Sequence, residues 1–171
     1  MLVTTMLKYF VSRRVLLLAT ALALCLNLAG CGLFQPQVES DPGPTPKVCK
    51  LIVKSAVCQI GKRYKPGGVS PKSGFDCSGL VYFVYKNNGY KIPRITKDQA
   101  KFGRRVSKDN PREGDILVFR TSNSPNGLHT GIYTGDRCFI HSPSSGKKVK
   151  RDTYASGYWK NRLVAIRRVV R

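Results

Sequence analysis

A cysteine, Cys77, lies between an aspartate and a Ser-Gly pair, directly before an apolar run, in the stretch GFDCSGLVYF at residues 74–83. Asp76, or a residue just before it, is a plausible N-cap, so the pattern predicts a helix that begins at about Cys77. The unpaired amides and the positive end of such a helix favour a thiolate, the reactive form of a cysteine. By itself the motif is equally compatible with a buried structural cysteine.

The chain contains two histidines, His129 and His141. Both fall in one predicted β-hairpin whose turn lies around residues 135–136. If the loop centres on Gly135, the two histidines are direct cross-strand partners on the same face, with Cβ atoms about 5 Å apart. A register error of one residue would instead put the rings on opposite faces.

A thiol and two imidazoles can form a Cys-His-X arrangement for nucleophilic catalysis. One ring takes the thiol proton and later protonates the leaving amine, while a third group fixes the tautomer of that ring. His129 suits the base, and His141 suits the orienting role. The alternatives are packing histidines or a zinc site, and the spacings match no common structural zinc pattern. We expect no metal and no organic cofactor.

Helices that would position these residues are predicted in the first part of the chain. Apolar residues repeat at helical spacing from Cys49 to Ile60, and Gly61 is the stop signal. The helix that begins at Cys77 runs to about Asn87. Thr96 and Gln99 have the spacing of a capping box and predict a short third helix that ends near residue 103.

Strand patterns separated by turns follow the helices. They cover Ile116 to Phe119, Leu128 to Thr134, Arg137 to His141, Lys147 to Lys150 and Leu163 to Val170. Helices first and strands afterwards predict an α+β domain, with the helices packed on one face of a central antiparallel sheet.

The N-terminal segment reads as an export signal. Basic residues precede an uncharged run from Val15 to Leu28, which is typical of a secretory signal and is short for a membrane-spanning helix. The sequence Leu-Ala-Gly-Cys at residues 28–31 resembles the lipobox of bacterial lipoproteins, in which the cysteine, here Cys31, is acylated and anchors the chain to a membrane surface. A plain signal peptide or an uncleaved anchor is the alternative.

Proline-rich residues 31–47 then predict an extended tether between the lipid and the domain. The predicted organisation is a signal peptide at 1–30, a lipidated tether at 31–47 and a catalytic domain at 48–171. Gly32 stands where an aspartate commonly retains lipoproteins at the inner membrane, which favours the outer membrane, facing the periplasm.

A net charge of +21 makes the chain strongly basic. Residues 1–30 hold three basic and no acidic side chains, so the excess belongs mainly to the remainder of the chain. A basic surface attracts anionic partners. No nucleic-acid-binding motif is present in the sequence, and export makes anionic lipids or cell-wall polymers the expected partners. The sequence does not indicate an oligomeric state.

The cysteines other than Cys31 and Cys77 are interpreted as small packed hydrophobes. Cys49 and Cys58 share one predicted helix, where about 13 Å of rise separates them, too far for a disulfide. A bridge from Cys138 to either of them remains possible.

Taken together, FDCSGLVYF, LHTGIYTG and CFIHSPSSG resemble the NlpC/p60 family of papain-like cysteine peptidases, which act on bacterial cell wall. The resemblance covers roughly residues 48–171. It extends to RYKPGG at 63–68, to Pro-Arg-Ile-Thr at 93–96, to Gly-Asp-Ile at 114–116 and to the closing strand.

This resemblance implies a papain-like fold in which Cys77 is the nucleophile, His129 the general base and His141 the third polar member. It also implies that Tyr64 donates its hydroxyl near the oxyanion, and that Asp76 and Ser78 contact substrate. Two basic residues beside Tyr64, Arg63 and Lys65, are predicted to draw in the carboxylates of the substrate.

The implied reaction is hydrolysis of an amide in the peptide stems of peptidoglycan, typically one involving D-glutamate and diaminopimelate, through a thioester. Two alternatives remain open at this stage. One is an amidase of the same thiol superfamily that cuts between sugar and stem, and the other is a non-catalytic wall-binding lipoprotein.

Overall fold

A computed structural model describes residues 46–122, 127–144 and 147–170. Within these ranges, no helix is both long enough and apolar enough to cross a membrane. The predicted signal peptide, the lipobox and nearly all of the predicted tether lie outside the described residues. Lipidation of Cys31 therefore stays a prediction.

Three α-helices occur in the described part of the chain: α1 at Lys47–Val57, α2 at Cys77–Asn87 and α3 at Thr96–Gln99. The α1 helix buries Cys49, Ile52 and Ala56, which lie on one side of it because they are spaced by three and four residues. It ends at Val57, three residues before the predicted last residue Ile60, and turns lead on to Gly61. The bounds of α2 are those predicted from the sequence.

The capping box predicted at Thr96 and Gln99 is wrong. Thr96 is the first residue of α3, and the N-cap position belongs to Ile95, which makes no side-chain cap bond. The Gln99 amide instead donates to the carbonyl oxygens of Ser78 at 3.0 Å and Pro93 at 2.9 Å. Capping residues are also good tertiary hydrogen-bonding residues, so spacing alone does not distinguish the two uses.

A six-stranded antiparallel sheet forms the centre of the domain. The helices pack against the face that carries Ile116, Ile132 and Ile140. The α+β architecture predicted from the sequence is confirmed. The strands are β1 at Val69–Ser70, β2 at Gly74–Phe75, β3 at Arg104–Val106, β4 at Ile116–Arg120, β5 at Leu128–Tyr133, β6 at Cys138–His141, β7 at Lys150–Thr153 and β8 at Leu163–Arg168. The strand order in the six-stranded sheet is β3-β8-β4-β5-β6-β7.

Strand β7 begins later than predicted, at Lys150 instead of Lys147. Residue Lys148 makes only an isolated bridge with Arg63. The strands β1, β2 and β3 were not predicted, because two or three residues are too few to show an alternating pattern. The β1–β2 pair forms a separate two-stranded sheet.

The β5–β6 hairpin has a different register from the predicted one. Tyr133 pairs with Phe139 and Ile132 with Ile140, which places Gly131 opposite His141. The prediction that His129 and His141 are direct partners is therefore wrong by two residues. A shift of two keeps both side chains on the same face, so the rings still meet.

An ion pair joins Asp115 to Arg168, the last residue of β8, and is buried. Nε and Nη2 of Arg168 donate to the two carboxylate oxygens at 2.9 and 2.8 Å, and the side chains are only 3% and 5% exposed. We expect Asp115→Asn to lower the free energy of unfolding by about 3–5 kcal/mol, because it removes the carboxylate charge from a buried, hydrogen-bonded ion pair.

Urea unfolding followed by circular dichroism would measure this loss of stability. Asp109→Asn is the matched control, since it changes the same side chain at an exposed position. Equal unfolding midpoints for the two variants would contradict the assigned importance of the buried pair.

Candidate active site

A cleft of about 720 Å³ brings four of the predicted catalytic residues to one place. These four are Tyr64, Cys77, His129 and His141. They come from the RYKPGG loop, the start of α2, and the two strands of the β5–β6 hairpin. The predicted substrate contacts Asp76 and Ser78 also line this cleft.

Cys77 is the first residue of α2, and Asp76 is its N-cap, as predicted. The Asp76 carboxylate accepts a hydrogen bond from the amide of Gly79 at 2.6 Å. A Cβ atom at Gly79 would lie 2.0 Å from the carbonyl oxygen of Gly68. Glycine is therefore required there so that the helix can pack against the preceding loop.

The Cys77 thiol is enclosed by polar groups. Its Sγ lies 3.6 Å from Oγ1 of Thr96, and it also receives backbone hydrogen bonds from Thr130 and Ser78. Burial nevertheless raises the pKa of the Cys77 thiol, against the lowering effect of these bonds. This direction opposes the thiolate expected at the start of a helix, because desolvation of the sulfur outweighs the hydrogen bonds to it.

Gln99 connects the cysteine helix to the histidine strand. Its side chain is fully buried, donates to the carbonyl oxygen of Ser78 and accepts a hydrogen bond from Oγ1 of Thr130 at 3.0 Å. One amide thus joins the residue after Cys77 to the residue after His129. This bridge holds the two elements in a fixed relation.

The two histidine rings are joined directly. Nε2 of His129 lies 2.8 Å from Nδ1 of His141, and Nε2 of His141 lies 3.0 Å from Oδ2 of Asp152. Trp159 stacks on His129 with ring centroids 5.1 Å apart and also donates its indole N–H to Oδ2 of Asp152 at 3.1 Å. The result is a linear chain of His129, His141 and Asp152, covered by one indole.

Both imidazoles are neutral in the folded protein near pH 7. Burial, together with a smaller effect of the neighbouring His141, lowers the pKa of His129 to about 3. Burial also lowers the pKa of His141, although Asp152 opposes the shift. Burial would raise the pKa of Asp152, but hydrogen bonds from His141, Lys150 and Trp159 hold it below its usual value, so the carboxylate is ionised.

Stability should therefore fall as the pH is lowered from 7 to 5. An unfolded histidine takes up a proton near pH 6.5, whereas folded His129 does not until about pH 3, so acid favours the unfolded chain. We expect His129 alone to account for about 2 kcal/mol of this loss. Urea unfolding at the two pH values should show a smaller difference for His129→Asn than for the wild type, and identical differences would contradict the assignment.

The Asp76 carboxylate accepts hydrogen bonds from other residues of the protein. Arg94 donates to its two oxygens at 3.0 and 2.6 Å, and the amide of Gly67 donates to Oδ2 at 3.0 Å. Arg94 also donates to the hydroxyl of Ser78 at 3.0 Å. The structure thus gives Asp76 and Ser78 a part in shaping the cleft, and their contact with substrate stays a prediction.

Tyr64 lies in the cleft, half-buried. Burial raises the pKa of its phenol, and Cys77 and Asp76 raise it further, so the hydroxyl remains protonated and able to donate. Its neighbours Arg63 and Lys65 are exposed and do not line the cleft. Their predicted role can be only attraction at a distance, whereas Lys147 and Lys150 lie in the cleft wall.

The remaining cysteines only partly follow the prediction. Cys49 is buried, but Cys58 is exposed and Cys138 is half-buried, so the interpretation of Cys58 as a packed residue is wrong. All three are free thiols. In the described ranges, no group of three or more His, Cys, Asp or Glu side chains has an arrangement that could hold a metal ion.

The sequence matches the NlpC/P60 family over residues 61–168. This range contains Tyr64, Cys77, both histidines and Asp152. The chain belongs to the NlpC/P60 family. The resemblance given by the sequence motifs is thereby confirmed.

Two relatives illustrate the NlpC/P60 match. The murein DD-endopeptidase MepH of Escherichia coli K12 is 35% identical over 127 residues, which are 72% of this chain and 47% of the relative. The gamma-D-glutamyl-L-lysine dipeptidyl-peptidase of Bacillus subtilis 168 is 38% identical over 118 residues, covering 68% of this chain and 40% of the relative. The chain thus spans less than half the length of either relative.

A solved NlpC/P60 family protein from Bacillus cereus ATCC 10987 has the same fold. It superposes with a TM-score of 0.65 at 29% identity, covering 73% of this chain and 41% of the other. The NlpC/P60 fold predicted from the sequence is therefore confirmed.

Several residues of this NlpC/P60 site were not identified from the sequence as part of the site chemistry. Asp152 was missed because its strand was predicted to end at Lys150, whereas β7 runs to Thr153, although Asp152 is one of only nine acidic residues in the chain. Trp159 is the only tryptophan in the sequence, but no motif around it indicated that it lies beside the histidines. Arg94 and Gln99 were noted only as parts of local motifs, since their partners are distant in sequence.

Proposed function

We propose that this protein is a cysteine peptidase that hydrolyses amide bonds in the stem peptides of peptidoglycan. The observation that carries the proposal is the hydrogen-bonded pair of His129 and His141 in the same cleft as Cys77, at the start of α2. The relatives named as a murein endopeptidase and a glutamyl-lysine peptidase support the class of substrate.

In the proposed mechanism the resting pair is a neutral thiol and a neutral imidazole. Nδ1 of His129 takes the thiol proton as the sulfur attacks the scissile carbonyl, and the imidazolium then protonates the leaving amine. The thioester is hydrolysed by water, which His129 activates in turn. Neither step requires a metal or an organic cofactor.

The negative charge on the carbonyl oxygen would be stabilised by two donors. The amide of Cys77 is in the first turn of α2, where backbone N–H groups have no intrahelical partner. The hydroxyl of Tyr64 is the second donor, and the raised pKa keeps its proton in place. Such donors act at the developing oxyanion and lower the barrier to attack.

Product analysis on purified peptidoglycan tests the proposal. We expect the full chain to release fragments that are cut within the stem peptide. Mass spectrometry of these fragments would identify the cleaved bond, because the names of the two relatives indicate different bonds. Release of intact stems from the sugar would identify an amidase instead. No new products under conditions in which the chain binds the wall would identify a binding protein and overturn the proposal.

We also propose that the chain is anchored by lipid on Cys31 and acts in the cell envelope, at the outer membrane. The proposal is supported by the residues of the export signal, the lipobox sequence and the proline-rich tether. Metabolic labelling with palmitate should mark the wild type and not Cys31→Ala. Equal labelling of both, or recovery of the wild type in the soluble fraction, would contradict it.

A further inference from the structure

The hydrogen bond from His141 to Asp152 determines which ring nitrogens of the two histidines donate and which accept. The two rings by themselves do not determine this. A neutral imidazole carries one N–H and one lone pair, and either nitrogen can hold the proton. The base of the proposed reaction works only if the lone pair of His129 is on the nitrogen that faces the thiol. A group at the far end of this series of hydrogen bonds must therefore fix the tautomer of His129.

Asp152 is the group at that end. An ionised carboxylate accepts hydrogen bonds and cannot donate. Its Oδ2 lies 3.0 Å from Nε2 of His141, so that nitrogen must carry the proton. Nδ1 of His141 is then an acceptor, and Nε2 of His129, 2.8 Å away, must be its donor. This leaves the lone pair of His129 on Nδ1.

Two further donors keep the Asp152 oxygen in position. The indole N–H of Trp159 lies 3.1 Å from Oδ2, and Nζ of Lys150 lies 2.9 Å from it. Both can only donate, so they reinforce an acceptor at this point. The indole also stacks on His129, so Trp159 contacts both Asp152 and His129, the two ends of the hydrogen-bonded series.

We propose that Asp152 is a positioning residue that fixes the tautomers of His141 and, through it, of His129. The catalytic consequence rests on the proposed function, but the tautomers do not. Asp152 does not contact the thiol. Its effect reaches the reaction through two hydrogen bonds in series, as in sites where a carboxylate orients a working imidazole.

The first readout is the protonation of the ring nitrogens. The chain has only two histidines, so a tag-free, ¹⁵N-histidine-labelled full chain should show only two sets of ring signals by NMR. At pH 7 we expect both Nε2 atoms to be protonated and both Nδ1 atoms to be unprotonated. In Asp152→Ala, His129 should populate the opposite tautomer, because nothing then selects the donor at Nε2 of His141.

Activity on purified peptidoglycan is the second readout. Asp152→Ala should lower kcat about 10- to 100-fold, the loss typical when a partner that orients a functional imidazole is removed. Asp152→Asn should retain the tautomers and most of the activity, because Trp159 and Lys150 hold its amide oxygen toward His141. Asp109→Ala, at an exposed position, is the matched control and should behave as wild type.

Unchanged tautomers in Asp152→Ala would overturn the proposal, whatever happens to kcat. It would also be overturned if Asp152→Asn lost the tautomers as completely as Asp152→Ala. A wild type that releases nothing from peptidoglycan would instead refute the proposed function, and the ring-nitrogen spectra would still decide the role of Asp152.

Discussion

Replacing Cys77 with alanine should abolish hydrolysis of peptidoglycan, with kcat falling by roughly 10⁴-fold or more. The sulfur lies at the start of α2, in the same cleft as the histidine pair, and alanine cannot form a thioester. The fold should survive, because the change removes one half-buried atom and leaves the Asp76 cap and the Gly79 contact in place. The measurement is the rate of fragment release by chromatography.

Cys58→Ala is the matched control for this experiment. It makes the same chemical change at an exposed thiol at the end of α1, and we expect wild-type rates. Iodoacetamide should inactivate the Cys58→Ala protein as fully as the wild type. Hydrolysis by Cys77→Ala at the control rate would refute the assignment of the nucleophile.

Replacing His129 with asparagine should have an effect nearly as large, roughly 10³-fold or more in kcat, because the half-buried thiol then lacks a base. Burial raises the pKa of Cys77, so very little thiolate forms unaided at neutral pH. Alkylation by iodoacetamide at pH 7 should therefore also slow in this variant. An unchanged alkylation rate would show that His129 does not remove the thiol proton.

The double variant Cys77→Ala/His129→Asn gives a sharper test of the same pair. Nucleophile and base act as one unit, so removing both should cost no more than removing the cysteine alone. Losses that multiply instead would mean that the two residues act independently. Purified peptidoglycan and a common enzyme concentration make the three rates directly comparable.

Much of the local structure follows from the sequence because its causes are local. The start of α2 depends on Asp76, whose carboxylate reaches an amide three residues on, and the end of α2 follows from a glycine two residues beyond Asn87. The separation into helices and strands follows from the spacing of apolar residues. The presence of both histidines on one hairpin was readable in the same way.

The hairpin register shows where local inference stops. The turn adopts positive φ angles at Asp136 and Arg137 as well as at Gly135, so the loop is centred one residue later than the glycine alone suggests. That displacement changes the pairing by two residues. The histidines stay on one face because the side-chain period of a strand is also two.

The sequence by itself determined which residues could do the chemistry: a cysteine at a helix start, two histidines on one hairpin and a tyrosine in a glycine-rich loop. The tertiary structure decided their state. It shields the half-buried thiol from solvent and so raises its pKa, and it places Arg94 against Asp76. It also brings Asp152, from a strand, and Trp159, from a 3-10 helix, to His141, although both are more than ten residues away in sequence. Desolvation and distant hydrogen bonds depend on neighbours in space, and no local pattern in the chain encodes them.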